Sequence, residues 1–238
     1  MRIRRLHSWH VTPRKAIQIQ ERLRAHVLVR GRLPRPTLIA GADLAFDKAT
    51  DAAIACVVVL RFPALDPVET VVQRARCRFP YVPGLLSFRE APCLLQAFAR
   101  LRQTPDVIFI DGHGYSHPRK FGLACHIGLL LDRPVIGCAK SLLAGTYREP
   151  GRAKGSVSDI LDRDGDVIGA VVRTRDGVNP VFVSVGHKVG LPTAVRLTLA
   201  CAPRYRVPEP TRLADILAEQ AKREFLSGTS EGRQGAGP

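Results

Sequence analysis

What the chain lacks narrows it first. No apolar stretch reaches the length of a membrane span, which excludes a helical membrane protein. Met1 to Lys15 is basic but has no apolar core of the kind a secretory signal needs. The six cysteines, Cys56, Cys77, Cys93, Cys125, Cys138 and Cys201, form no Cys-x-x-Cys pair and no zinc-type spacing, so a structural zinc site is not expected. Several of them lie in apolar runs, where a reduced cysteine behaves as a small hydrophobe. Together these absences describe a reduced, cytoplasmic protein with no membrane partner. No internal repeat is visible. Acids are also scarce: 21 Asp and Glu stand against 36 Lys and Arg, a formal net charge of +15. Such an excess suits a polyanionic partner and argues against an ordinary metabolic enzyme. A basic surface kept only for solubility is the competing explanation.

What remains is a chain of 238 residues, 45% apolar, with ample length for a buried core. Residues 1–11 carry Arg2, Arg4 and Arg5 without periodicity and read as a flexible basic arm. Residues 12–226 read as a single domain, and the Gly/Ser-rich residues 227–238 as a disordered tail. Thr12-Pro13 opens an amphipathic helix with Ala16, Ile19, Leu23 and Val27 on one face, ending near Val29. Three strands follow, at 37–43, 52–61 and 68–77, joined by short connections that suit an antiparallel meander. Phe79 to Gly84 is a stiff loop with two prolines. Ser87-x-x-Glu90 matches a capping box, but Pro92 argues for a helix starting near Ala91, which leaves Glu90 free at its mouth. Residues 144–166 read as loop and turn, 167–172 and 181–185 as a β-pair, 191–201 as an apolar helix, and Pro210-Thr211 as the start of a last helix.

The most informative stretch runs from Asp106 to Lys140. Val107 to Ile110 is a short continuous apolar run, the signature of a strand buried on both faces, and it ends in Asp111. Gly112-His113-Gly114 permits a sharp turn, and His117-Pro118-Arg119-Lys120 brings an imidazole and two cations close to that acid. A helix over 121–131 and a second buried strand from Val135, leading to Lys140, complete a βαβ unit with polar groups at the strand ends, where open α/β sheets bind ligands. Three antiparallel strands, a helix and a βαβ unit follow the order of a ribonuclease H-like mixed sheet flanked by helices. In that order the first and fourth strands are neighbours, which brings Asp43 and Asp111 together. Two adjacent carboxylates repel unless a proton or cation neutralises them. Hard oxygen ligands at an open site favour Mg²⁺, and the chemistry such a site allows is hydrolysis of a phosphodiester.

The blocks AGADLAFD (40–47), FPYVPGLLSFRE (79–90), DGHGYSHPRKFGLACHIG (111–128), GCAK (137–140) and YRVPEPTRLAD (205–215) resemble, in order and spacing, the motifs of the endonuclease V family. The resemblance implies a Mg²⁺-dependent DNA repair endonuclease, with Mn²⁺ as a substitute ion. It would hydrolyse the second phosphodiester bond 3′ to deoxyinosine, the product of adenine deamination. By position, Asp43, Glu90 and Asp111 match the metal-binding carboxylates, and His117 and Lys140 match groups near the scissile phosphate. Pro80, Tyr81, Val82 and Pro83 match the wedge that holds the strands apart, with Tyr81 as its reaching side chain. Gly84, Leu86, Gly112 and Leu123 fall where the flipped base is received. Val82 stands where isoleucine is more usual and Cys125 where serine is common; neither alters the mechanism.

The resemblance further implies deoxyinosine-containing DNA as partner, with inosine-containing RNA an alternative, and a monomer. A catalytically silent module that binds damaged nucleic acid on the same fold is the other alternative; lost carboxylates would mark it, and all three are present. For Asp215, a metal role and a solvated helix position both stay open, as do phosphate contact and simple exposure for His187. His126, on an apolar helix, is expected to be a satisfied core histidine.

Overall fold

The computed structural model describes residues 1–31, 33–47, 50 and 52–231, with backbone only for 226–231. Its elements in chain order are α1 (Pro13–Arg24), β1 (Leu38–Phe46), β2 (Ala52–Arg61), β3 (Asp66–Arg76), α2 (Leu86–Arg100), β4 (Val107–Ile110), α3 (Leu123–Leu131), β5 (Val135–Ala139), β6 (Thr146–Tyr147), β7 (Val157–Leu161), β8 (Val167–Val172), β9 (Val181–His187), α4 (Leu191–Ala200) and α5 (Glu209–Glu231). One nine-stranded sheet has the order β3-β2-β1-β4-β5-β9-β8-β7-β6. The first three strands are antiparallel, β1-β4 and β4-β5 are parallel, and the remaining pairs are antiparallel. This is the expected ribonuclease H-like mixed sheet, with the first strand beside the fourth. No helix among the described residues is long and apolar enough to cross a membrane.

Alternation along the central strands divides the core into two layers. Ile108 and Ile110 of β4 face α2 and α3 together with Ala40 and Ala42 of β1, while Val107 and Phe109 join Ile39, Val172, Val183 and Leu197 of α4 on the other side. Burial on both faces is why β4 reads as an unbroken apolar run. The α4 face also carries α5, whose Ala214 and Ala218 pack on Ala45, Cys56, Val58 and Leu60. At Gly41 a Cβ would lie 2.0 Å from the backbone carbonyl carbon of Pro210, so a glycine in β1 is what allows the first turn of α5 to rest on the strand.

Several expectations are corrected. The basic arm is packed: the Arg4 N–H donates to the Leu130 carbonyl at 2.7 Å, Arg4 pairs with Asp132 at 3.0 Å, and Trp9 contacts the core. Its arginines gave it a polar composition, but Leu6 and Trp9 between them supply apolar anchors. The first helix stops at Arg24 rather than Val29, and the segment beyond it crosses to β9, where the Leu28 N–H donates to His187 Nδ1 at 3.2 Å. Helix α2 begins at Leu86, a turn before the expected start, and takes Pro92 into its interior. Ser87 does not cap it; its hydroxyl meets His126 Nδ1 at 3.1 Å, and Phe88, only 1% exposed, sits against Phe79 and His126. That packing outweighs the hydrogen bond that Pro92 removes. Residues 144–166, expected as loop, contain β6 and β7. Of the expected tail, residues 227–231 continue α5, and 232–238 lie outside the described residues.

Candidate active site

The parallel pairing of β1 with β4 runs from Ile39↔Val107 to Ala42↔Ile110 and stops there. Asp43 and Asp111 are the next residue on each strand, and the Asp111 N–H still reaches the Ala42 carbonyl at 3.4 Å. Asp43 was expected at the end of its strand; β1 in fact continues to Phe46, paired with β2 alone. The acid therefore sits where β4 gives out, a gap at the edge of the parallel pair. Asp43 shares its face of β1 with Gly41 and Ala45, on the α5 side. Glu90 arrives from the opposite layer, in the second turn of α2.

Burial and neighbouring charge raise two of these carboxylates. Burial, then the charge of Asp111, pushes Asp43 up to about 7, against the pull of a 2.8 Å hydrogen bond from the Leu44 N–H to its Oδ1. Burial, then the charge of Asp43, pushes Glu90 up to about 8. The Lys140 ammonium lies 2.7 Å from Asp111 Oδ2 and 3.7 Å from Asp215 Oδ2. Burial pulls that ammonium down, but its hydrogen bond to Asp111 and the surrounding acids outweigh burial, and the net shift is upward. The site thus holds more negative charge than Lys140 neutralises.

No three His, Cys, Asp or Glu side chains among the described residues converge as a ready set of metal ligands. The donor chemistry nonetheless fits a hard divalent cation. The donors are carboxylate oxygens gathered where the parallel strands stop, Asp43 and Glu90 are raised by burial and then by neighbouring acids, and a second cation would offset both causes. Mg²⁺ is commonly held by one or two carboxylates while waters and substrate phosphates complete its shell, so a preformed cage is not required.

The remaining expected site residues fall into separate groups. Tyr81 is 71% exposed at the tip of the Pro80–Pro83 loop, as a reaching side chain must be. Gly112, at φ +146°, abuts Leu123, whose Cδ2 lies 3.6 Å from where a Cβ would be. Gly84, at φ +76°, ends the loop, and Leu86 opens α2. His117 was expected near the scissile phosphate, but both of its ring nitrogens are engaged nearby. Its Nδ1 accepts from the Arg119 N–H at 3.1 Å, so the proton is on Nε2, which donates to the Gly84 carbonyl at 3.1 Å. Burial, then the Arg119 charge, pushes His117 down to about 4, which keeps it neutral. His126 is fully buried between Ser87 and His7, a satisfied core histidine. His187 is 2% exposed, and its ring meets the Leu28 N–H, so it is neither a solvated residue nor open to phosphate.

Two neighbours of the acids went unassigned in the sequence. Asp215 contributes to the upward shift of Asp43 and approaches Lys140. Arg206 Nη2 donates to the Lys140 carbonyl at 2.7 Å and to the Pro180 carbonyl at 2.9 Å, fixing the end of β5 from which Lys140 extends. Both belong to the block at 205–215, whose place in the motif order was the only signal for them.

A ribonuclease H-like sheet with acids gathered where its parallel strands stop, in a chain this basic, is the layout of a nuclease acting on phosphodiester bonds. Comparison with known proteins gives the family. The Endonuclease V family pattern matches residues 21–216. Endonuclease V of Roseiflexus castenholzii is 49% identical over 216 residues, covering 91% of this chain and 96% of that protein. The crystal structure of Endonuclease V from Streptomyces avermitilis has a TM-score of 0.88 at 42% identity, covering 95% of this chain and 100% of that one. Endonuclease V of Ciona intestinalis, solved with a 24mer DNA containing an inosine followed by a ribo-adenosine, has a TM-score of 0.79 at 26% identity, covering 89% of this chain and 98% of that one. The chain belongs to the Endonuclease V family, a family of metal-dependent nucleases.

Proposed function

We propose that this protein is a DNA repair endonuclease that hydrolyses the second phosphodiester bond 3′ to deoxyinosine, with Mg²⁺ as its ion. The observation that carries the reading is the pair of acids continuing β1 and β4 past their last paired residues, with Glu90 added from α2 and Lys140 at 2.7 Å from Asp111. Inosine as the lesion is supported by the DNA bound to the Ciona relative.

Asp43, Asp111 and Glu90 would hold the ion in their ionised forms. When bound, Mg²⁺ supplies Lewis-acid stabilisation of charge on the phosphoryl oxygens and a nucleophile available at neutral pH. Lys140 adds a fixed positive charge beside Asp111 and is placed to meet a phosphate oxygen. Tyr81 fills the gap left when a base leaves the stack, and Gly84, Leu86, Gly112 and Leu123 receive that base. A base read by its edges must leave the duplex, and glycines let backbone groups approach it closely. His117 serves this arrangement by holding Gly84 rather than by touching phosphate. The net charge of +15 serves attraction to the backbone.

The test is nicking of matched DNA and RNA oligomers, each with one inosine, in Mg²⁺ and in EDTA. The reading expects a single nick in the DNA, one bond removed from the lesion on its 3′ side, and none in EDTA. Preferential cutting of the RNA would establish the ribonuclease alternative, and binding without cutting would establish the silent module.

A further inference from the structure

The carbonyl of Gly84 receives three donors. Gln20 Nε2 approaches it at 3.0 Å, His117 Nε2 at 3.1 Å and Arg119 Nη2 at 2.6 Å. A carbonyl oxygen has two lone pairs, so this acceptor is saturated and its orientation is fixed from three sides. Gln20 comes from α1, about 60 residues upstream of the loop, and is fully buried. Its second amide hydrogen goes to the Phe121 carbonyl at 3.0 Å, and its Oε1 accepts from Arg119 Nε at 2.6 Å. The carboxamide can face only one way: its NH₂ meets two carbonyls, and its oxygen meets a guanidinium that can only donate. A buried glutamine with every polar group engaged between one loop and one turn is a specific joint, because a half-satisfied one would carry the desolvation penalty of its orphaned atoms.

The joint lies at the base of the exposed loop. The Leu85 N–H closes a turn on the Val82 carbonyl at 2.9 Å, and Gly84 holds φ +76°, where a Cβ would come 2.7 Å from Arg119 Nη2. Below it, Ile19 and Leu23 of α1 pack with Phe79, Leu85 and Phe121. Tyr81 itself is held by nothing comparable, being 71% exposed.

We propose that Gln20 is a positioning residue for lesion recognition: through the three-donor clamp on Gly84 it sets the height and direction of the Pro80–Pro83 loop, and so where Tyr81 enters the duplex. The proposal rests on the wedge reading of Tyr81. Removing the amide leaves the fold intact but lets the loop sample directions in which Tyr81 misses the gap. Affinity for lesion-containing duplex therefore falls, while affinity for undamaged DNA, which depends on the basic surface, does not.

The experiment is a double-mutant cycle by fluorescence anisotropy in Ca²⁺, using inosine-containing duplex and the same duplex without inosine. Gln20→Met keeps the volume and removes the hydrogen bonds; Arg119→Met, at a half-buried position, breaks the clamp from the other side and guards against a folding failure of the first variant. Each is expected to lose about tenfold of the discrimination between the two duplexes while still melting cooperatively, at a temperature lowered by the polar groups it orphans. In a Tyr81→Ala background the same substitutions should lose little further, because the side chain they aim is gone. If Tyr81→Ala costs discrimination but the clamp variants cost none, or their losses add independently to it, the Gln20 assignment is overturned and the wedge stands. If Tyr81→Ala itself costs nothing, the wedge reading falls, and the assignment that rests on it falls with it.

Discussion

Replacing Asp43 by Asn should stabilise the metal-free protein at neutral pH, and the gain should fade in acid. Burial and the charge of Asp111 push the Asp43 carboxyl up to about 7, against an ordinary value near 3.9. Between those two values the folded protein keeps a proton that the unfolded chain has released. The unfolding free energy then falls as pH rises, and the penalty is complete above about pH 7. A shift of about three units corresponds to roughly 4 kcal/mol. Asp43 and Glu90 share the repulsion, so the gain on removing one charge is about 2–4 kcal/mol, or roughly 5–10 °C in melting temperature for a domain of this size. Asn suits the position because its Oδ1 can still accept the Leu44 N–H now bonded at 2.8 Å.

The raw stability profile would mislead, because His7, His113, His117, His126 and His187 are all pushed down, burial first. Those groups are neutral in the fold, so they cost stability as pH falls through their ordinary value near 6.5. The difference between variant and parent isolates the carboxylate. Thermal melts from about pH 4 to 8.5 in EDTA should show a gap that opens with pH and levels off above about 7. Millimolar Mg²⁺ should then raise the parent and leave the variant little changed. A variant less stable than its parent at pH 8 in EDTA, or a gap independent of pH, would refute the argument that an ionised Asp43 is costly in the metal-free fold.

If the same carboxylates hold the ion, nicking at limiting Mg²⁺ should rise between about pH 6 and 8 and shift to lower pH as Mg²⁺ increases, because protons and cation would compete for the same oxygens. A midpoint that ignores Mg²⁺ would mean some other group is being titrated. Tyr81→Ala should lose about tenfold to a hundredfold of affinity for lesion-containing duplex, following a stacking contribution of about 1–3 kcal/mol, with no change in melting temperature. An equal loss on single strands, or a large drop in melting temperature, would show that Tyr81 is structural. Arg206→Met strips the Lys140 and Pro180 carbonyls of their donor, which should cost about 1–3 kcal/mol of stability and slow single-turnover cleavage; destabilisation with an unchanged rate would show that Arg206 does not position Lys140. If binding neutralises about five phosphates, log affinity should fall against log salt with a slope of roughly −4 to −5, and a flat response would assign the basic surface to solubility.

Local pattern made much of this legible. Val107 to Ile110 and Val135 to Ala139 are apolar at every position because both faces are covered, and the structure places both as parallel strands. The two acids could be paired in advance because strand order alone sets the first strand beside the fourth. The start of α2 could not be read the same way. Ser87, Glu90 and Pro92 gave a local argument for a later start, and the aromatic contacts of Phe88 with Phe79 and with a histidine 38 positions away decide otherwise. Strand β7 was hidden because only Ile160 of its Val-Ser-Asp-Ile-Leu sequence is buried, so it lacks the apolar alternation that marks a half-covered strand.

The role of Asp215 stayed open for a different reason: its place depends on a contact between residues far apart in the chain. The backbone of Pro210 rests on β1 where Gly41 has no Cβ. Five helical residues beyond Pro210 rise about 7.5 Å, and two strand residues beyond Gly41 rise about 6.6 Å. Moving along α5 from 210 to 215 thus keeps pace with moving along β1 from 41 to 43, and Ala214 and Ala218 settle near Ala45 accordingly. A carboxylate borne on the last helix is thereby delivered to the acids at the strand ends, where it raises Asp43 and approaches Lys140 from the side opposite α2. Any side chain at position 41 would lift α5 away from β1 and take Asp215 with it. The glycine in AGADLAFD is as much a part of the site as the aspartate two residues on.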